Sequence, residues 1–335
     1  MPSAPSFDLP VWLRSPHLQT LCAALPLWLP SAPGETGDEV RFPLPDAQGS
    51  LHARVAWQPG DAPRPAVVIV HGVGGTIESR YVMRAALALH RAGYHAMRLD
   101  LRGAGEGVHT AQAMYHAGLS EDLATAVSWL AASPRVSDVF VLGFSLGGHV
   151  TLRWAGELGK HAPPKLRAVA SISAPLDLEK TTQWMERLRS LPYHRYLTKN
   201  LVAQGKRFAE LHPGRVHYSA RELSRVRTVR EYDTLVVAPM HGWKSAEAYY
   251  ADASAARFIR SIELPSLLVH ADDDPMVPGH LVREYLGDAP AALEQQWTDL
   301  GGHVGWFAGV REEPWVRTWA MDRALDFFAR FHPVA

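Results

Sequence analysis

The sequence has little cysteine, no excess of either charge and no long hydrophobic run. Among 335 residues Cys22 is the only cysteine, which excludes an internal disulfide and fits a reducing compartment. Lysine plus arginine and aspartate plus glutamate number 34 each, so no overall field attracts nucleic acid. The most apolar stretch, about 18–29, contains Pro26 and is shorter than the roughly 20 residues that cross a bilayer. We therefore predict no nucleic-acid partner and no integral membrane segment, with peripheral lipid contact as an alternative to an arm packed on the domain.

Signals for export, metals and cofactors are also missing. The first residues, M-P-S-A-P, lack the basic region and cleavage site of a secretory signal, so we expect a cytoplasmic protein. The chain has no H-E-x-x-H, no cysteine pair and no compact histidine and aspartate ligand spacing, which argues against zinc. We expect neither a metal nor a cofactor.

Strand and helix patterns alternate through much of the chain, and 47% hydrophobic residues can supply a sizeable core. Residues 39–42 and 51–57 predict a hairpin. The continuous run of mainly β-branched residues at 66–70 is typical of a strand buried on both faces of a parallel sheet. The alternation that follows predicts an α/β fold with a mostly parallel, doubly wound sheet.

The strand signal largely disappears between 176 and 260, where short helical patterns replace it. We interpret 176–260 as an inserted helical cap. The sheet core then comprises 39–175 and 261–335, and residues 1–38 form an N-terminal arm packed on it. Internal repeats and low-complexity tracts are absent from the sequence.

The run G-F-S-L-G at 143–147 lies between an apolar strand pattern and a helical pattern. A strand, G-x-S-x-G and a helix form the layout of a nucleophile elbow. The turn is so tight that side chains two positions before and after the serine would clash, and Gly143 and Gly147 remove them. Ser145 is therefore the candidate nucleophile, and an ordinary glycine turn is the alternative.

A serine hydroxyl needs a base to take its proton and a third group to hold that base. His303 and an aspartate run, 272–274, follow predicted strands, where functional loops of a parallel sheet lie. Their order, serine, acid and histidine, is that of α/β hydrolases. We choose Asp274, which lies four residues before a proline, and keep Asp273 as the second choice. A helix-capping or cation-binding acidic turn and an ordinary loop histidine are the alternatives.

Attack on a carbonyl creates an oxyanion that aimed backbone N–H groups can stabilise. The N–H of Leu146 begins the elbow helix, and that of Val73 lies in the loop H-G-V-G-G at 71–75. A phosphate-binding loop is the other interpretation of 71–75, but the G-x-G-x-x-G and Walker patterns are absent.

Substrate contacts are harder to assign. Our pocket candidates are His71, Phe144, His149, Trp243 and Val304. The cap aromatics either roof an apolar acyl chain or simply bury the cap; they are Trp184, Tyr193, Tyr196, Trp243 and Tyr249. His116 and Asp122 are similar to the H-x4-D pair of acyltransferases, but five residues separate them, so we prefer a helix start capped by Ser120.

These residues together resemble the α/β-hydrolase superfamily, and within it the YheT-like (EMB8-like) family related to the ABHD hydrolases. The resemblance covers nearly the whole chain. Its motifs are S-P-H-L-Q-T at 15–20, H-G-V-G-G at 71–75, R-G at 102–103, Y-H-A-G at 115–118, G-F-S-L-G at 143–147, D-D-P at 273–275 and G-H-V-G at 302–305. The arm and the Y-H-A-G motif are the most discriminating, and the cap segment 232–250 also looks like this family.

The resemblance implies a serine esterase or lipase that cleaves carboxylic acyl esters through an acyl-enzyme. The expected partner is a small acyl ester, medium-chain or lipid-like, although members of the family differ in substrate. Acyl transfer to an alcohol uses the same intermediate and stays an alternative. Peptide or thioester cleavage and a non-catalytic binding protein on the same scaffold are the others.

Overall fold

The computed structural model describes residues 7, 9, 11–24, 37–45, 49–307 and 318–332. Within these ranges one sheet of eight strands has the order β1-β2-β4-β3-β5-β6-β7-β8. The strands are β1 Asp38–Pro43, β2 Ser50–Ala56, β3 Arg64–Val70, β4 His95–Asp100, β5 Val136–Phe144, β6 Leu166–Ile172, β7 Ser266–Ala271 and β8 Leu293–Thr298.

Strands β3 to β8 run parallel, whereas β1 and β2 form the predicted hairpin and β2 pairs antiparallel with β4. The carboxyl ends of six strands therefore lie along one edge of the sheet. Every residue of β4 and β7 is buried, as expected for parallel strands covered on both faces. The predicted, mostly parallel α/β sheet is confirmed.

Helices cover both faces of the sheet. They are α1 Pro16–Ala24, α2 Arg80–Arg91, α3 Ser120–Ala132, α4 Leu146–Leu158, α5 Leu178–Met185, α6 Leu191–Leu211, α7 Ala220–Leu223, α8 Val229–Tyr232, α9 Ala238–Met240, α10 Ala246–Ala253, α11 Gly279–Arg283 and α12 Trp319–Ala329. Alternate residues of β3 point to two different cores: Val67 and Ile69 pack with α2 and α12, and Val68 and Val70 with α3 and α4. No described helix is both long and apolar enough to cross a membrane.

Residues 173–265, all of which the structure describes, contain helices α5 to α10 and no strand. This stretch includes the segment predicted as a cap, and its hydrophobic side chains continue the core on the face of α3 and α4. The boundaries proposed for arm, core and cap remain predictions. Much of the arm, including 25–36, lies outside the described residues.

Helix α4 packs very closely against the chain that leads back from the cap. A Cβ atom on Gly156 would lie 2.2 Å from the carbonyl oxygen of Phe258. We expect Gly156→Ala to lower the free energy of unfolding by about 2–4 kcal/mol, because backbone must move to admit the methyl group. Gly214→Ala is the matched control, since a Cβ there meets nothing within 4 Å, and its effect should stay within about 0.5 kcal/mol. Denaturant unfolding checks both values, and equal stability of the two variants would contradict the packing argument.

Candidate active site

Ser145 stands alone between the end of β5 and the start of α4. Its backbone angles are φ 51° and ψ −117°, a conformation that residues other than glycine rarely adopt. Two hydrogen bonds hold it: the N–H of Ser145 donates to the carbonyl of Ile172 at 2.8 Å, and the N–H of His149 donates to the carbonyl of Ser145 at 2.9 Å. The serine is thus fixed at the tip of a sharp strand-to-helix turn.

The flanking glycines are sterically required. A Cβ on Gly143 would lie 2.3 Å from the carbonyl oxygen of Gly147, and a Cβ on Gly147 would lie 2.4 Å from that of Val70. Both distances are far below contact, so the turn cannot accept side chains at these positions. The clash assumed in the sequence argument is present in the structure.

His303 and Asp274 form a buried pair. Nδ1 of His303 lies 2.7 Å from Oδ2 of Asp274. The other oxygen of Asp274 accepts the N–H groups of Met276 and Val277 at 2.8 and 2.9 Å. The carboxylate that orients the ring is therefore itself held in place by the backbone.

The neighbouring aspartates have other partners. Asp273 accepts the N–H of Gly302 at 2.9 Å, and Asp272 pairs with Arg283 at 2.8 Å. Desolvation by burial, assisted by the charge of Asp274, raises the pKa of Asp273 to about 6. Of the two candidate acids, Asp274 is the one that contacts the histidine ring.

The histidine loop meets the elbow through the end of β6. The N–H of Val304 donates to the hydroxyl of Ser173 at 3.0 Å. Ser173 directly follows Ile172, the residue whose carbonyl holds Ser145. The same strand end therefore positions both the serine and the loop of His303.

The N-terminal arm supports this loop from the other side. The hydroxyl of Thr20 accepts the N–H of His303 at 2.9 Å and donates to the carbonyl of Pro16 at 2.8 Å. Gln19 is fully buried; its amide donates to the carbonyl of Phe307 at 3.1 Å and accepts the N–H of Phe307 at 2.8 Å. These two residues belong to the arm motif, for which sequence reasoning had found no role.

The loop at 71–75 leaves one N–H group available. The N–H groups of Gly72 and Gly74 donate to the hydroxyls of Tyr81 and Tyr115, and that of Gly75 to a carbonyl within the loop. Across the described ranges, the N–H of Val73 makes no hydrogen bond. The N–H of Leu146, the first residue of α4, has no partner there either, as expected at a helix start.

Ser145, Val73 and Leu146 line one cleft between the sheet edge and the helices that follow β6. Its empty volume is about 870 Å³, part of it open to solvent. The apolar lining includes Leu178, Met185, Leu197, Leu201, Val229, Val237, Met276 and Val277. The cleft therefore joins a serine and two available backbone donors to a largely hydrocarbon wall.

None of the five residues named as pocket candidates lines this cleft. His71 donates to the carbonyl of Gly72 and accepts the N–H of Leu101, and burial lowers its pKa. His149 faces two backbone carbonyls at 2.8 and 2.9 Å, and burial lowers its pKa to about 4. Both histidines support the walls from behind.

The other three candidates also lie off the cleft. Phe144 packs on Tyr81, with ring centroids 5.2 Å apart, and Val304 belongs to the histidine loop. Trp243 stacks against Tyr249, which does line the cleft. Trp184, Tyr193 and Tyr196 do not, so of the aromatics expected as a roof only Tyr249 faces the cleft.

Sequence reasoning missed several polar residues of the cleft. Tyr115, His116 and Asp233 all line it. They belong to segments that carried the family resemblance, which was the available signal. Asp122 binds Arg102 at 2.6 Å rather than His116, so the acyltransferase-like pair does not form.

Fold and elbow together define an α/β hydrolase, and the family model described as "alpha/beta hydrolase fold" matches residues 65–305. The putative esterase YheT of Escherichia coli is 30% identical over 87% of this chain and 84% of that protein. The chain belongs to the α/β-hydrolase family and, within it, to the YheT-like group.

More distant relatives extend the comparison. A monoacylglycerol lipase of Saccharomyces cerevisiae is 28% identical over 86% of this chain, and phospholipase ABHD3 of Mus musculus is 27% identical over 80%. The chain covers 66% and 64% of their lengths. An esterase structure from Pyrococcus furiosus shares the fold, with a TM-score of 0.58 at 21% identity over 92% of this chain and 96% of that one. The predicted enzyme class, a carboxylic ester hydrolase of the esterase and lipase type, is confirmed.

Thr20 provides a test of how the arm positions the histidine. Thr20→Val keeps the shape but leaves the buried N–H of His303 without its acceptor, so we expect kcat for an ester to fall about tenfold or more. KM should change little, because Thr20 does not line the cleft.

Thr20→Ser is the matched control, since it returns a hydroxyl to the same place and should recover most of the lost kcat. Steady-state kinetics on the three proteins, with melting temperatures alongside, measure the effect. Equal kcat in all three would show that the arm does not position His303.

Proposed function

We propose that this protein hydrolyses acyl esters through an acyl-enzyme formed on Ser145, with His303 as the base and Asp274 as the residue that holds the histidine. The observation that carries the proposal is the shared cleft: a strained serine lies beside two backbone N–H groups that have no other partner among the described residues. The 2.7 Å contact of Asp274 with Nδ1 of His303 supports the assignment of base and acid.

The chemistry follows from these contacts. If Nδ1 of His303 carries the proton donated to Asp274, Nε2 is free to accept the proton of Ser145. The serine oxygen then attacks the ester carbonyl, and the N–H groups of Val73 and Leu146 bind the resulting oxyanion. When the tetrahedral intermediate collapses, His303 returns the proton to the leaving alkoxide, and the acyl group stays on Ser145.

Water completes the cycle. His303 takes a proton from a water molecule, which attacks the acyl carbonyl, and a second collapse releases the carboxylic acid and reprotonates the serine. No step needs a metal or a redox cofactor, because the leaving alkoxide is protonated by the histidine and the oxyanion is bound by backbone groups.

The substrate class we propose is a medium-chain or lipid-like ester. The hydrocarbon side chains of the cleft, such as Leu197, Leu201 and Met276, favour an acyl chain over a polar group. The relatives named as a monoacylglycerol lipase and a phospholipase are consistent with this class.

A serine-directed fluorophosphonate probe tests the nucleophile. The wild type should be labelled, and Ser145→Ala should not be labelled and should lose at least about 10³-fold in kcat on a medium-chain ester. Ser171→Ala, a buried serine of β6, is the matched control and should be labelled like the wild type. Labelling of Ser145→Ala at the wild-type level would overturn the proposal.

The neighbouring aspartates test the acid. Asp274→Asn should lower kcat by about 10⁴-fold, because the amide favours the wrong tautomer of His303. Asp273→Asn is almost the same change one residue away; its amide oxygen can still accept the N–H of Gly302, and we expect a loss of a few-fold at most. Ester hydrolysis rates of the two purified variants decide between them, and the reverse order would reassign the acid to Asp273.

A further inference from the structure

One carboxyl group lies in the apolar cleft and takes no part in the ester chemistry described above. Asp233 lines the cleft that contains Ser145, and it is only 8% exposed. Desolvation by burial raises its pKa to about 7. A polar group in such surroundings is costly unless its hydrogen bonds are satisfied.

The protein satisfies only part of this carboxyl group. Oδ2 of Asp233 accepts the hydroxyl of Tyr250 at 2.6 Å. Its other oxygen has no hydrogen-bond partner in the part of the chain that the structure describes. The guanidinium of Arg230 acts on it only through its field, since it binds Glu179 and Glu247 at 2.7 and 2.8 Å. One acceptor site therefore remains for a group that enters the cleft.

The local backbone also marks this position. Asp233–Val237 forms a π-helical turn between α8 and α9. Such turns are rare, occur mostly as single insertions in α-helices and are frequent at functional sites. Asp233 and Val237, the first and last residues of the turn, both line the cleft.

The proposed function indicates which part of a substrate meets Asp233, and this step rests on it. His303 must protonate the leaving alkoxide, so the alcohol part lies on the side of His303. His303 is not among the residues that line the cleft. The acyl part is then the group that extends along the apolar wall towards Asp233.

We propose that Asp233 is a specificity residue that binds a hydroxyl group on the acyl chain, so that esters of hydroxylated fatty acids are the preferred substrates. A hydroxyl can donate to an ionised carboxyl group and accept from a protonated one, so it fits either state of Asp233. An ammonium group fits worse, because it would be buried in hydrocarbon close to the cation of Arg230.

Matched pairs of nitrophenyl esters test this proposal in the wild-type enzyme. Each pair has the same medium-length acyl chain, either unsubstituted or with a hydroxyl at one position, and the series moves the hydroxyl along the chain. We expect kcat/KM to be at least about tenfold higher for one position than for the unsubstituted ester. Equal kcat/KM across the series would overturn the proposal.

Two variants separate recognition from structural support. Asp233→Leu should abolish the preference, measured as the ratio of kcat/KM for the hydroxylated and plain esters. Tyr250→Phe removes the same Asp–Tyr hydrogen bond but keeps the carboxyl group, so it should keep the preference. If Asp233 serves only as the partner of Tyr250, both variants will lower the ratio alike, and the proposal is wrong.

The outcomes also distinguish this proposal from the one on which it rests. Hydrolysis of the unsubstituted esters with no preference for any hydroxylated ester would overturn the role of Asp233 and leave the Ser145 mechanism intact. Absence of hydrolysis of every ester, together with absence of fluorophosphonate labelling, would overturn both.

Discussion

The common direction of strands β3 to β8 is the constraint on which the site depends. Because these strands run parallel, the loop of Val73, the elbow of Ser145, the turn of Asp274 and the loop of His303 leave the sheet at the same edge. None of these groups is near the others in sequence. Their convergence needs only the sheet and short connections, as is usual in open α/β folds.

The reactive geometry places demands that the surrounding structure must meet. Ser145 is held in an unfavourable backbone conformation by hydrogen bonds on both sides and by two glycines whose side chains could not fit. Asp274 is buried, yet both of its oxygens are hydrogen-bonded. Asp233 differs in this respect, because one of its oxygens is left without a protein partner among the described residues. That difference is why we assign the first two to the reaction and the third to recognition.

Local chemistry explains what the sequence could predict. The elbow follows from a strand pattern and from glycine spacing around Ser145, and the buried strands follow from runs such as 66–70. The acid and base could be placed because residues that follow parallel strands must meet at one edge. The preference for Asp274 over Asp273 rested only on a proline four residues later, and the structure supplies the contact with His303 that favours it.

Tertiary packing explains what the sequence could not predict. The cleft wall is formed where the helices of 173–265 lie against the sheet, so neither the exclusion of Trp243 nor the inclusion of Asp233 can be derived from spacing. His149 follows the elbow and suggested a pocket position, yet the turn of α4 directs its ring to two buried carbonyls. Gln19 is an extreme case, because its partner Phe307 lies 288 residues away in the chain.

That separation has a consequence for the order in which the molecule is built. A ribosome makes the arm first, but the acceptor and donor groups that fix Gln19 and Thr20 belong to residues 303–307. Domains form as their segments emerge during synthesis, so the sheet from β1 to β7 can assemble while the arm still waits for its partners. Catalytic competence therefore arises late in synthesis, and a chain interrupted before residue 300 would carry an intact serine elbow with no means of activating it.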